Sequence, residues 1–256
     1  MRRSIVLKLV KIFVENNDQI CYNFPKIFVQ NVKRELIVKQ KKMLAIVLTF
    51  LVSVMMLAGC GKKFDAKTYM QEYLNASYKQ EFTEFCKISE QTEEEAKKVY
   101  EENLDKITGD ILNAGGVEFS EELVSKYQEL VKKMLNCAKY NVVSAEEDKD
   151  GNFVAKVEVE PLLLLDGLEE EVTKASEDYL AKVMDEMLAG GEEPDEQKIY
   201  DDVMTIVYDI LNEKLSAPEY GEKETVEVHI VKKDNVYSPE QDDLVKLDAV
   251  VFNPNQ

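Results

Sequence analysis

The hydrophobic period of this chain switches between helix and strand, and the order of the switches limits the folds open to it. Phe64, Tyr69, Met70, Tyr73, Leu74 and Tyr78 recur at spacings that place them on one face of a helix over about 65–79. A short segment carrying Phe82 and Phe85 follows. Thr92 and Glu95 form a capping box, in which each side chain satisfies the other's backbone N–H, so a helix starts there. Its expected stripe is Ala96, Val99, Asn103, Ile107 and Ile111, and Gly115-Gly116 stop it. Ser120 caps a further helix from Glu121 to about Ala138, with Leu123, Tyr127, Leu130 and Met134 inward.

The period then becomes two. Around an Asp150-Gly151 turn, the stretch 140–162 has strand composition, the signal of a hairpin. On its second strand Phe153, Ala155, Val157 and Val159 share one face, and Val154, Lys156, Glu158 and Glu160 share the other. One dry face and one wet face predict an antiparallel sheet covered on one side. Pro161 ends it or marks an edge. Helical spacing returns in Leu164, Leu168, Val172, Ala175, Tyr179, Val183 and Met187. After a Gly-Gly-Glu-Glu-Pro break, in which Pro194 is placed to start a helix, it resumes in Ile199, Val203, Ile206, Val207, Ile210 and Leu211. A strand with Val226, Val228 and Ile230 inward, a turn at Asp234-Asn235, a capping box at Ser238–Gln241 with Pro239 as first helical residue, and a short helical end close the chain. The expected fold class is α+β, with long amphipathic helices packed on antiparallel β-hairpins. The stretches 64–162 and 163–252 read as a loose αα-ββ repeat, without internal sequence identity.

Ahead of this domain lies an apolar run from Met43 to Ala58, broken only by Thr49 and Ser53. It is short for a membrane span, which needs about 20 apolar residues. With Lys39, Lys41 and Lys42 before it and Ala58-Gly59 after it, it fits the hydrophobic region of a signal peptide over 38–59. The next residue is Cys60, and Leu57-Ala58-Gly59-Cys60 resembles the bacterial lipobox. That resemblance implies cleavage between Gly59 and Cys60, diacylation of the Cys60 sulfur, and a lipoprotein held at the outer face of the cell membrane. Two acyl chains hold a bilayer stably where one does so marginally. The tether 60–63 is short: four extended residues reach about 13 Å, so the domain 64–256 is expected close to the membrane. The lines Phe64–Glu102 and Val157–Leu162 resemble uncharacterised lipoproteins of Gram-positive, clostridia-like bacteria, which implies location and fold rather than an activity.

Residues 1–37 mix charge and aromatics without a period. A GTG start at Val38 would yield a well-formed signal peptide, and Lys33-Arg34-Glu35 can be encoded by a ribosome-binding sequence. On that reading 1–37 is a gene-start error or a disordered extension. The alternative is a long basic leader.

Charge excludes some functions. Of 32 basic and 50 acidic side chains, all but ten of the basic and three of the acidic lie in 60–256, a net charge of −25 there. A nucleic-acid partner needs a basic footprint, so none is expected. Adhesion to anionic lipid by charge is equally disfavoured, which leaves the acyl chains as the link to the bilayer.

Chemistry-bearing residues are few. Cys86 and Cys137 remain after Cys60 is acylated; outside the cytoplasm they could pair as a disulfide, or stay as two buried thiols. No CxxC and no Cys/His cluster is present, so neither a metal site nor a cofactor is expected. His229, the single histidine, shares an outward strand face with Glu227, a pair that could do acid–base work or form part of a solvated surface. Glu146–Phe153 resembles half of a calcium loop, but Val157 stands where the closing Glu belongs, so a hairpin turn accounts for it better. Tyr69, Tyr73, Tyr78, Phe82 and Phe85 could line an apolar pocket or form a core seam. The reading reached from sequence is a non-enzymatic binding or scaffold module meeting an envelope protein or ligand. A cell-envelope hydrolase using His229 and nearby carboxylates is the alternative, with an accessory ligand-binding lipoprotein of a transporter as a further one.

Overall fold

The computed structural model describes residues 64–112, 119–191, 195–233 and 236–252. The signal peptide, Cys60 and its tether, residues 1–37, the Gly115-Gly116 stop, Pro194 and the Asp234-Asn235 turn lie outside them. Among the described residues the fold is α+β: helices α1 (Ala66–Leu74), α2 (Phe82–Ser89), α3 (Glu93–Leu112), α4 (Glu121–Asn136), α5 (Leu168–Leu188), α6 (Glu196–Lys214) and α7 (Gln241–Phe252) accompany four strands, β1 (Lys139–Glu147), β2 (Phe153–Glu160), β3 (Glu224–Lys233) and β4 (Val236–Pro239). The strands form one antiparallel sheet in the order β1-β2-β3-β4. Strands from both sequence halves therefore share a single sheet, joined where β2 pairs with β3, with Val157 opposite Val226 and Phe153 opposite Ile230.

The inner face of the sheet carries Val142, Phe153, Ala155, Val157, Val159, Val228 and Ile230, all buried. The strand alternation read from the sequence holds. Helices α1 and α7 cover this face. From α1 come Tyr69, Met70, Tyr73 and Leu74; from α7 come Leu244, Leu247, Val251 and Phe252. Fully burying one such side chain contributes about 1.5–3 kcal/mol. The aromatic stripe is core rather than pocket lining: Tyr69, Tyr73, Tyr78 and Phe85 are all buried, and Phe82 packs against them from a half-buried position.

Local signals set the helix starts. Thr92 N–H donates to Glu95 Oε2 at 2.9 Å and Glu95 N–H donates to Thr92 Oγ1 at 3.2 Å, a complete capping box. Ser120 Oγ accepts from Leu123 N–H at 3.3 Å. Asp65 caps α1 by accepting from Thr68 N–H at 3.1 Å.

Tertiary packing moved several expected faces. α3 buries Ala96 and Ile107 of the expected stripe together with Tyr100, Leu104 and Leu112, while Val99 and Ile111 pack on the core from partly buried positions, so the inward line is shifted toward Tyr100. The cause is Tyr100, whose ring meets Phe82 edge-on at 5.9 Å and takes the inward position. α5 buries Leu168, Val172, Ser176 and Leu180 instead of Ala175, Tyr179, Val183 and Met187, and Leu164 precedes the helix. Pro239 is not the first helical residue. It closes β4 opposite Ile230, a position on an edge strand where its missing N–H is harmless. The C-terminal helix is a full element of 12 residues, locked by Leu162 N–H donating to Val251 O at 2.8 Å.

The expected hairpin turn occupies 148–152. Asp148 Oδ1 accepts from the N–H groups of Asp150 (2.8 Å) and Asn152 (2.9 Å), and Gly151 takes φ +79°, open to glycine and costly to most residues. These bonds hold the Asp148 carboxyl below its usual range and explain the acidic stretch as a turn. β1 also contains a bulge between Val142 and Ser144, which the alternation did not reveal.

Candidate functional site

α1 begins at the end of the sheet that holds the 148–152 turn and runs toward the opposite end. Tyr69 OH donates to Tyr237 O (3.2 Å), Gln71 meets Val142, and Asn75 meets Tyr140. The helix then widens into a π turn over Asn75–Lys79, closed by Gln80 at φ 60°. One extra residue in the turn changes which side chains point inward. Tyr78 enters the core and donates to the fully buried Asp248 Oδ1 on α7 at 2.7 Å, while Asn75 and Lys79 line a cleft. Burial and the nearby Asp248 push the Tyr78 hydroxyl well above its ordinary pKa, so it stays a donor.

That cleft, about 490 Å³, is polar and wraps the beginning of β1. Its volume is in the range of small-molecule sites, about 300–1,000 Å³. One wall is an amide relay. Tyr140 OH (2.9 Å) and Gln71 Nε2 (3.1 Å) both donate to Asn75 Oδ1, and Asn75 Nδ2 donates to Glu72 Oε2 at 3.1 Å. Gln71 Oε1 accepts from Val142 N–H at 2.9 Å, standing in for a neighbouring strand on the free edge of β1. Lys79 Nζ donates to the carbonyls of Asn136 and Ala138, tying the end of α4 to the start of β1. Its partial burial lowers the amine's pKa. The other wall is the outer face of the sheet. Lys139 Nζ lies 3.5 Å above the Tyr220 ring and 3.3 Å from Glu160, and Lys223 pairs with Glu158 at 3.0 Å. Amides, alternating charges and the Tyr140 side chain suit recognition of a polar ligand.

The residues singled out from sequence do not converge on this cleft. His229 does not work with Glu227, which lies 3.9 Å from Lys156. Its ring Nδ1 is 2.6 Å from Asp243 Oδ2, and the same oxygen accepts from the His229 backbone N–H at 3.1 Å. Asp243 Oδ1 accepts from Lys246 at 2.8 Å. The reason is topological. β4 stops at Pro239 opposite Ile230, so His229 would present its N–H and C=O on an open edge; Asp243 takes the first and Glu240 N–H donates to the second at 2.8 Å. Burial alone would raise the Asp243 carboxyl, but the bonds from Lys246 and His229 overcome it and hold the pKa low. The His229 ring is 53% exposed and the Asp243 side chain 10%. The carboxylate serves as a strand substitute, a role no spacing pattern announces.

The two cysteines are free thiols rather than a disulfide. Cys86 lies on α2 within the field of Glu93 and Glu95, whereas Cys137 caps α4 within the field of Lys79 and Lys133, two separate neighbourhoods. Burial raises the pKa of both, which keeps them protonated and weakly nucleophilic. Among the described residues no cluster of three His, Cys, Asp or Glu side chains could hold a metal ion, and no helix is long and apolar enough to cross a membrane. Cys60 and Gly59 lie outside the described residues.

The class defined by this geometry is an α+β domain with a four-stranded antiparallel sheet and a polar end cleft. No family model and no curated protein matches the chain. Among solved structures it is similar to a Bacillus subtilis protein described as a "putative lipoprotein (ycdA)", with a TM-score of 0.51 and 14% sequence identity. The match covers 73% of this chain and 56% of that one, so the likeness is one of fold and spans little more than half of the neighbour.

Proposed function

We propose that this chain is a lipid-anchored extracytoplasmic lipoprotein whose domain, 64–252, is a non-enzymatic binding module with its ligand site in the cleft beside Asn75, Lys79 and Tyr140. The observation that carries the anchor is Leu57-Ala58-Gly59-Cys60 behind an apolar run, four residues before Phe64, whose ring packs in the described domain. The fold neighbour's description supports the same reading. The binding role draws on the cleft's volume and polar lining. It also draws on the chemistry of the other candidates: both described thiols are held protonated, and the His229 partner is occupied in capping a strand edge.

Metabolic labelling with a palmitate analogue tests the anchor. Label is expected on the wild-type chain and absent from Cys60→Ser, which should also leave the membrane fraction. An unlabelled wild-type chain overturns this reading. Replacing Asn75 and Tyr140 together should abolish ligand-induced thermal shifts found in a screen of polar metabolites and peptides. Turnover abolished by His229→Ala would instead establish the hydrolase reading.

A further inference from the structure

The anchor end and the cleft lie at opposite ends of the same helix. Phe64 stacks on Tyr237 (ring centroids 4.1 Å apart, 8° between planes) and meets Phe153 edge-on at 5.4 Å. The first described residue is thus fixed at the end of the sheet formed by the 148–152 turn and by Lys232 and Lys233. α1 and its π turn carry the chain away from there over 14 residues, about 20 Å at 1.5 Å per residue. They deliver Asn75 and Lys79 to the cleft. β1 measures the same separation: Glu147 opposes Phe153 at the turn end, and Lys139 opposes Glu160 at the cleft, eight steps or about 26 Å away.

Resting on the lipid-anchor reading, we propose that the end bearing Phe64, the 148–152 turn and Lys232-Lys233 faces the phospholipid headgroups, and that the cleft opens away from the membrane. Tether length decides this. Four residues reach about 13 Å. A domain of this size has a radius of gyration of about 16 Å, roughly 40 Å across, so it cannot turn over on such a leash. The surface at this end suits contact without insertion. Its exposed groups are polar and of both signs: Lys67, Lys149, Lys232 and Lys233 among Asp65, Glu146, Glu147, Asp148 and Asp150. Among the described residues the large exposed apolar side chains, Val143, Met187 and Leu188, lie elsewhere. The partner that fits is a headgroup layer of low net charge, and ligands reach the cleft from the far side.

The chain contains no tryptophan, so single tryptophans report cleanly. Full-length protein carrying Lys149→Trp or Glu81→Trp is lipidated and reconstituted in phosphatidylcholine vesicles containing a headgroup nitroxide lipid. Lys149→Trp should lose more than half of its emission relative to vesicles without nitroxide. Glu81→Trp, at the cleft rim, should lose under a tenth while staying open to aqueous acrylamide. Equal quenching, the reverse order, or no quenching of either reporter on protein with verified lipid overturns the orientation and leaves the anchor standing. Absence of lipid on Cys60 overturns the anchor, and the orientation with it.

Discussion

The sheet with its covering helices and the α5–α6 hairpin use the same apolar alphabet to very different effect. The main cluster runs without interruption through α1 to α4, both β-hairpins and α7. The hairpin has a separate small cluster of Leu168, Val172 and Val207, flanked by Leu165, Ile210 and Leu211, with Leu180 and Val203 buried apart from it. Its base is docked, with Tyr127 OH donating to Met204 O (2.8 Å) and Lys133 to Asn212 (2.8 Å). Farther out, polar pairs join the buried Leu180 and Val203: Tyr179 to Asp202 (2.6 Å) and Lys198 to Asp202 (2.7 Å), with Leu188 80% exposed. Exposed ion pairs contribute about 0–1 kcal/mol, far less than buried apolar area. The lesson is that an amphipathic helix is only as stable as the number of layers that cover it. The hairpin should open locally before the domain unfolds.

That contrast can be broken in order of expected effect. Leu247→Ala, fully buried on α7, should cost about 2–5 kcal/mol in urea denaturation. A loss under 1 kcal/mol would mean that α7 is not part of the cooperative core. Asp243→Asn comes next, at about 1–3 kcal/mol, because it weakens the acceptor for a backbone N–H, the His229 ring and Lys246. Its sign with pH is fixed. The folded carboxyl is depressed, so its contribution is present above the unfolded value near 3.9 and fades as pH falls through the lower folded value. Wild type and variant should therefore differ above pH 5 and converge as the pH falls below it; a difference that persists undiminished in acid would refute the capping role.

Val207→Ala should cost about 1–2 kcal/mol. Hydrogen exchange should quicken in α5 and α6 while α1 and the sheet keep their protection. Uniform loss would show that hairpin and sheet unfold as one. Ser120→Ala removes a helix cap and should lower stability by about 1 kcal/mol. Leu188→Ala should stay within about 0.5 kcal/mol, and a larger loss would mean that the tip is covered in solution.

Much of the secondary structure was legible. The caps at Thr92/Glu95 and Ser120, the hairpin at Gly151 and the inward face of β2 follow from signals contained within a few residues. The shift of the α3 stripe toward Tyr100 was not, because Val99 and Tyr100 are both apolar and a contact beyond the short window, such as the Phe82 ring against Tyr100, favours one of them. The cleft was less legible still. Asn75 and Gln71 read as ordinary helix-surface amides until the π turn and the free edge of β1 give them partners.

The sequence by itself determined the α+β class, the helix starts at Thr92 and Ser120, the inward face of β2 and the acidic charge, since each depends on local backbone preference or simple composition. Only the tertiary structure decided that β2 and β3 unite the two halves in one sheet, that Asp243 rather than Glu227 serves His229, and that the cleft lies at the end remote from Phe64. These depend on pairing between residues far apart in the chain. Such pairing is selected by the burial and hydrogen-bond satisfaction of the whole domain, which no short window of sequence records.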